Sequence, residues 1–108
     1  VLPLGRTGEC DVTTYDESNI LGDWRTQYGV YSISRNSLGE LCFTETLLHG
    51  SLAYGSGWYH VVVKDKRNND NVNCHIRMRR EGEGMRSNFK AAPGDDWDDP
   101  GLLAERLP

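Results

Sequence analysis

The segment CHIRMRREGEGMRSNF, residues 74–89, carries the pattern that decides the fold. Before the glycines, apolar and charged side chains alternate, with Cys74, Ile76 and Met78 on one side and His75, Arg77 and Arg79 on the other. After Gly82-Glu83-Gly84 the alternation resumes, with Met85, Ser87 and Phe89 opposite Arg86, Asn88 and Lys90. A period of two residues is typical of strands with one buried and one solvated face. The segment therefore predicts a β-hairpin with a basic outer face.

The same pattern recurs along the chain at short intervals. Seven segments have the composition of strands, and turns rich in Gly, Asn, Ser and Asp separate them: ILGDW, YGVYSIS, ELCFTET, GSLAY, GWYHVVVKD, VNCHIRMRR and GMRSNFK. Short strands with turns this frequent predict an antiparallel meander, which tends to close because closure removes exposed sheet edges. We therefore predict an all-β domain over residues 20–90, with six to seven short strands curled into a small barrel or half-barrel.

The two ends of the chain differ from this central domain. Residues 1–19 have no clear periodicity and predict an extended N-terminal arm. Residues 91–108 predict an acidic loop followed by a short C-terminal helix at about 100–106. Asp99 is a good N-cap, Pro100 suits the first helical position, and Arg106 suits a helix C-terminus.

The composition is that of one globular domain. The chain has 108 residues, of which 37% are hydrophobic and 26% charged, so it can bury one modest core. No run approaches the roughly 18 apolar residues that a membrane-spanning helix needs. The three cysteines are an odd number, and we interpret them as mostly reduced thiols rather than a disulfide framework.

The net charge of −4 conceals a separation of charge along the chain. Residues 64–90 carry eight Lys or Arg and four acidic residues, whereas the remainder carries four and twelve. Such a dipolar surface favours oriented docking. The basic outer face of the hairpin is accordingly either a solvated surface or a docking surface for an acidic protein. Its candidate partner-binding residues are His75, Arg77, Arg79, Arg86 and Lys90.

Nucleic acid suits this face less well. Sheet-type readers of nucleic acid place aromatic residues among the basic ones, so that bases can stack on them. The predicted outer face of the hairpin contains no aromatic residue. The acidic remainder of the chain would also repel a long phosphate backbone.

No motif indicates catalysis, a cofactor or a metal. Gly82-x-Gly84 is followed by a strand, whereas a dinucleotide-binding loop leads into a helix. Cys74 and His75 are adjacent and point to opposite strand faces, which disfavours zinc. The stretch DDWDD lacks the ligand spacing and the glycine of a calcium loop. No evident nucleophile stands beside His49 or His60, so the sequence predicts a non-catalytic protein with no cofactor.

A second hypothesis places a small ligand or a carbohydrate in the barrel mouth. Aromatic residues concentrate in the first half of the chain, where they suit either a ligand site or the packing of a small core. Glu45 shares a strand face with Leu41 and Phe43 and is expected to point inward. Its carboxyl either anchors a ligand or acts as a general acid, or else it pairs with an arginine such as Arg25 or sits at a bulge near the rim. The candidate ligand-binding residues are Trp24, Glu45 and Trp58.

The order of these motifs resembles a small β-rich domain that recurs in dinoflagellate proteins. The resemblance covers roughly residues 22–90 and is carried by Gly-x-Leu-x-Phe-x-Glu at 39–45, Ile-Arg-x-Arg at 76–79 and Gly-Met-Arg-Ser-Asn-Phe at 84–89. It implies a non-catalytic accessory subunit that docks on a larger assembly through its basic face and its termini. The implied assembly is a plastid photosynthetic complex, such as a photosystem at the thylakoid.

Overall fold

The structure, a computed structural model, describes residues 17–108, and eight antiparallel strands form a closed barrel in that part of the chain. The strands are β1 (Gly22–Thr26), β2 (Gly29–Arg35), β3 (Leu41–Glu45), β4 (Leu48–Gly55), β5 (Trp58–Asp65), β6 (Asn71–Glu81), β7 (Gly84–Lys90) and β8 (Leu102–Arg106). Each strand pairs with the next, and β8 also pairs with β1. The predicted all-β antiparallel barrel is confirmed.

The hairpin of β6 and β7 follows the alternation of its sequence. Ile76 pairs with Phe89 and Met78 with Ser87 across the two strands. Ile76, Met78 and Ser87 are all buried, because the period-two pattern places them on the inner face of the barrel. The inner residues of the other strands complete one apolar core: Ile20, Trp24, Tyr31, Ile33, Leu41, Phe43, Tyr59, Val61, Val63, Met85 and Ala104.

Consecutive connections of a meander alternate between the two ends of the barrel. We call these ends the closed end and the open end. The turns 35–41, 55–58 and 81–84 lie at the closed end, together with a short 3-10 helix, Glu17–Asn19. The turns 26–29, 45–48 and 65–71 and the long loop 91–101 lie at the open end. The rest of the predicted arm, residues 1–16, lies outside the described residues.

Trp24 seals the closed end. Its side chain is fully buried, and its indole Nε1 donates a 2.9 Å hydrogen bond to the carbonyl of Ile20, just after the 3-10 helix. Two guanidinium groups lie over its ring, that of Arg106 at 4.4 Å and that of Arg80 at 5.4 Å from the centroid. Arg106 also donates to the carbonyl of Leu21. The two guanidinium groups, the indole ring and the segment that leads into β1 therefore hold one another in place at the closed end.

The predicted C-terminal helix is wrong, and residues 102–106 form an eighth strand instead. Ala104 pairs with Met85 of β7, and Arg106 pairs with Trp24 of β1. Gly101 has a φ of +78°, in the left-handed region that a right-handed helix excludes. The open edges of β1 and β7 both require hydrogen-bond partners, and this long-range requirement outweighs the local capping signals of Asp99 and Pro100. In the described part of the chain, no helix is long and apolar enough to cross a membrane.

The tight approach of Gly101 to β7 gives a stability prediction. A Cβ at Gly101 would lie 2.1 Å from the Ser87 carbonyl oxygen, whereas one at Gly94, in the same loop, meets nothing within 4 Å. We expect Gly101→Ala to lower the free energy of unfolding by about 3 kcal/mol or more, through backbone strain and steric overlap. Gly94→Ala should change it by less than about 0.5 kcal/mol. Urea unfolding of both variants tests this, and equal stability would mean that β8 does not pair with β7.

Candidate ligand-binding site

The open end of the barrel contains a cavity of about 650 Å³, which we call the mouth. Its walls come from six strands, from the turn between β1 and β2, and from the loop 91–101. An eight-stranded barrel is wide enough inside for packed side chains or one small ligand. The residues that line the cavity are Thr26, Gln27, Tyr28, Tyr31, Phe43, Glu45, Ile76, Met78, Ser87, Phe89 and Asp98–Leu102.

Two buried hydroxyl groups that line this cavity lack a well-formed hydrogen bond. Tyr31 is 7% exposed and Ser87 is 2% exposed. Their hydroxyls lie near each other, but neither forms a hydrogen bond of normal geometry with the other or with any other described residue. Buried polar groups are nearly always paired, because leaving one unpaired costs roughly 1–3 kcal/mol. Hydroxyls of this kind are therefore suited to a partner that enters from the cavity.

The Tyr31 hydroxyl remains protonated at physiological pH. Burial raises its pKa to about 12, and the nearby Glu45 carboxylate adds to this increase, while the adjacent Ser87 hydroxyl only partly offsets it. A protonated phenol donates one hydrogen bond and accepts others. Tyr31 therefore offers a neutral polar group within an otherwise apolar wall.

Glu45 points into the mouth, as its strand position predicts. It is half-buried, and burial raises the pKa of its carboxyl. The alternative partner Arg25 pairs with Glu105 at 2.9 Å instead, and no other residue of the described chain forms a hydrogen bond or ion pair with Glu45. The carboxyl is thus partly desolvated and unpaired.

The rim of the mouth adds acidic and aromatic groups. Asp98 and Asp99 line it from the loop 91–101, and Tyr28 lines it from the β1–β2 turn. Tyr28 is 73% exposed, and Asp98 accepts a 2.8 Å hydrogen bond from the Phe89 backbone N–H. No Lys, Arg or His is among the lining residues of the described chain.

The structure does not bring Trp24, Glu45 and Trp58 together. Trp24 is sealed in the closed end of the barrel, and Glu45 lies at the open end. Trp58 lies on the outer face of β5, where it contacts Arg77 and Arg79. Of the three predicted ligand residues, only Glu45 lines the mouth. The alternation of a strand already placed Trp58 and the buried Tyr59 on opposite faces of β5. No local signal in the sequence showed that the Tyr31 and Ser87 hydroxyls would lack a well-formed hydrogen bond.

The five predicted partner-binding residues lie on the outer face of β6 and β7, but several are already engaged. Arg86 forms a 2.6 Å ion pair with Glu81, which lowers the pKa of that carboxyl through its hydrogen bond. Lys90 donates to the carbonyl of Pro93 at 2.9 Å. His75 lines a groove on the outer face.

Arg77 and Arg79 belong to a ladder of cations and tryptophans. The guanidinium groups of Arg77 and Arg79 lie 4.1 Å and 4.2 Å from the Trp58 ring centroid. The ring of a second tryptophan, Trp97, also contacts this face. Its centroid lies 4.9 Å from the Arg77 guanidinium carbon and 4.4 Å from the Lys90 ammonium nitrogen. The outward residues of the hairpin include no aromatic residue, but the folded surface around them does. The missing tryptophans come from a neighbouring strand and from the distant loop 91–101.

Asn88 holds that loop against the barrel. Sequence alternation places Asn88 on the solvent side of β7, yet it is buried. Its amide donates to the carbonyl of Asp98 at 2.8 Å and accepts from Arg77 Nε at 3.0 Å. One buried amide thus positions both Trp97 on the outer face and the acidic residues at the mouth.

A second concavity, the outer groove, lies beside the ladder and measures about 690 Å³. It contains every lysine and every histidine of the chain: His49, His60, His75, Lys64, Lys66 and Lys90. Its acidic neighbour Asp70 is 2.8 Å from His49. The outer groove is therefore a basic surface, of opposite character to the mouth.

Metal ligation and disulfide formation find no support within residues 17–108. No three His, Cys, Asp or Glu side chains of that range are grouped so as to hold a metal ion. Cys42 and Cys74 are both free, and burial, with a smaller contribution from Glu45, raises the pKa of the Cys74 thiol. Cys10 lies outside the described residues.

Comparisons with protein-family models, with curated proteins and with solved structures find no match to this chain. The dinoflagellate resemblance therefore stays a prediction, and functional inference rests on the geometry of the two surfaces.

The desolvated carboxyl of Glu45 gives a prediction about stability and pH. Because burial raises its pKa in the folded state, ionised Glu45 destabilises the fold at neutral pH. We expect Glu45→Gln to raise the melting temperature at pH 7, by a small amount because water partly screens the group. The gain should appear as the pH rises through the raised pKa and be absent near pH 3, where wild-type Glu45 is protonated.

Glu83→Gln is the matched control, since Glu83 is exposed in the β6–β7 turn at the closed end. We expect it to leave the melting temperature unchanged at both pH values. A loss of stability in Glu45→Gln at pH 7 would show that the carboxylate has a stabilising partner.

Proposed function

We propose that this protein binds a small, largely apolar ligand in the open mouth of its barrel. The observation that carries the proposal is the pair of buried hydroxyls of Tyr31 and Ser87, neither of which has a hydrogen bond of normal geometry, in a largely apolar cavity of about 650 Å³. Ligand sites are concave and mostly apolar, with a few polar groups that fix the orientation of the ligand. The mouth has each of these properties.

The same groups support binding rather than catalysis. No His, Asp, Glu or Lys of the described residues forms a hydrogen bond with the Ser87 hydroxyl, so it lacks the activation that a nucleophile requires. The pKa of Tyr31 is raised to about 12, which opposes proton transfer at neutral pH. Glu45 lacks an orienting hydrogen bond within the described chain. A binding protein needs none of these features.

Ser87→Leu tests the cavity. Leucine removes an unpaired hydroxyl and occupies space within the mouth, so the melting temperature should stay the same or rise. We expect the affinity for Nile red, a neutral dye that fluoresces in apolar sites, to fall at least about tenfold, because about 1.4 kcal/mol of lost contact has that effect. A fluorescence titration measures the affinity.

Ser51→Leu is the matched control for dye on the outer face. Ser51 is exposed on β4 and lines the outer groove. We expect this variant to bind Nile red as the wild type does. If Ser51→Leu alone weakens binding, the dye occupies the outer groove and the mouth is not the ligand site.

The second candidate function is docking on an acidic protein partner, and the ladder favours it. Trp58 and Trp97 are partly exposed and carry Arg77, Arg79 and Lys90 on their rings. Tryptophan and arginine are enriched among residues that dominate binding energy at interfaces. The basic outer groove beside the ladder supports an acidic partner. The dinoflagellate resemblance supports a plastid photosynthetic assembly, and hence a thylakoid location, for this accessory role.

Charge reversal at Arg79 tests docking. Arg79 is exposed, and its guanidinium lies over the Trp58 ring on the outer face, so Arg79→Glu should preserve the fold. We expect it to weaken association with purified dinoflagellate photosystem complexes by at least about tenfold in co-sedimentation, because like charges at an interface repel. Wild-type association should also weaken in about 0.5 M salt, where charges are screened within roughly 4 Å.

Arg25→Glu is the control for a general charge effect. Arg25 lies on β1, three strands away around the barrel, and its pair with Glu105 is exposed. We expect Arg25→Glu to be retained on the complexes as the wild type is. Equal retention of all three proteins at every salt concentration would remove the ladder from the docking mechanism.

A further inference from the structure

The charges of the mouth restrict the class of ligand, provided that the proposed ligand-binding function holds. The lining residues of the described chain include three carboxylates, those of Glu45, Asp98 and Asp99, and no cationic side chain. The outer groove and the ladder hold the positive charge of this region on the opposite side of the barrel wall. Arg86 lies near Asp99 at the rim but is paired with Glu81 and does not line the cavity. An anionic ligand inside the mouth would therefore be next to carboxylates and no lining cation.

An inorganic cation does not fit these carboxylates. No three His, Cys, Asp or Glu side chains of residues 17–108 are close enough together to share a metal ion. Asp98 is also engaged, since it accepts a hydrogen bond from the Phe89 backbone. The walls between the carboxylates are apolar and aromatic, whereas a site for a hard cation surrounds the ion with oxygen ligands.

The aromatic walls suit an organic body that carries the charge. Tyr31 and Phe43 lie with ring centroids 5.3 Å apart, and Tyr28 and Phe89 also line the cavity. Aromatic faces attract cations within about 6 Å, and most strongly when water is excluded. The buried Tyr31 and Ser87 hydroxyls, 7% and 2% exposed, can accept hydrogen bonds from an ammonium group or from a ring N–H.

We propose that the mouth selects an organic ammonium ion on an aromatic or apolar body, with Glu45 as the anchoring carboxylate. Glu45 is the inner carboxylate because it stands on the β3 face shared with Phe43. Asp99 stands at the rim and adds a smaller negative charge there, because the nearby Arg86 cation partly offsets it. The aromatic body occupies the space between Phe43, Ile76 and Met78.

Three ligands of nearly equal shape test this selection: tryptamine, its neutral alcohol tryptophol, and the anion indole-3-acetate. Isothermal titration calorimetry at pH 7 gives their affinities for the whole chain. We expect tryptamine to bind about tenfold more tightly than tryptophol and indole-3-acetate to bind most weakly. Tenfold corresponds to about 1.4 kcal/mol.

The variants assign the effect to Glu45. Glu45→Gln keeps the side-chain shape, and we expect it to lower tryptamine affinity about tenfold while tryptophol affinity stays unchanged. Asp99→Asn, at an exposed rim position, should lower tryptamine affinity by a smaller factor. Glu83→Gln, in the β6–β7 turn at the closed end, should leave the affinities for all three ligands unchanged.

The outcomes separate this inference from the function on which it rests. If tryptophol or indole-3-acetate binds as tightly as tryptamine, or if Glu45→Gln binds tryptamine as the wild type does, cation selection is wrong and ligand binding stands. Cation selection is also wrong, and ligand binding again stands, if Nile red binds in the mouth but none of the three indoles does. If neither Nile red nor any indole binds, the proposed function fails and the inference fails with it.

Discussion

The contact of Trp24 with Arg106 is the interaction on which the barrel depends. Arg106 ends β8, Trp24 lies in β1, and the two residues pair across the only junction between the ends of the described sheet. The Trp24 indole also binds the Ile20 carbonyl. Without this group of contacts, β1 and β8 would each present an unpaired edge, and the closed end would admit water to the core.

The contacts at the closed end complete the barrel, so the side chains around the open end are available for other roles. The inner face of the open end is acidic and aromatic, whereas the outer face of β5–β7 is basic and carries tryptophan. The loop 91–101 contributes to both, with Asp98 and Asp99 at the mouth and Trp97 on the outside. Buried Asn88 fixes its position. Charge separation that is visible along the sequence thus becomes a separation between the inside and outside of one wall.

The sequence predicted the parts of the fold that depend on local alternation. Ile76 and Met78 face inward and Arg77 and Arg79 outward, because a strand fixes each side by parity alone. The eighth strand was missed because pairing of β8 with β1 is a property of two distant segments, while Asp99 and Pro100 act locally. At the site, parity correctly placed Glu45 inside. Nothing local could show that Tyr31 and Ser87 lack partners, or that Trp97 packs 4.9 Å from the Arg77 guanidinium.

The junction between β1 and β8 determines how another protein can engage this barrel. It consists of two residue pairs, Trp24 with Arg106 and Arg25 with Glu105, whereas β6 and β7 share seven. A closed sheet has no free edge within the described chain, so a partner strand cannot extend it by β-augmentation. Recognition must then use side chains and turns. The shortest junction is also where local unfolding costs the least free energy. The two guanidinium groups over Trp24 stabilise this junction, and so they keep β1 and β8 from exposing strand edges that could pair with another chain.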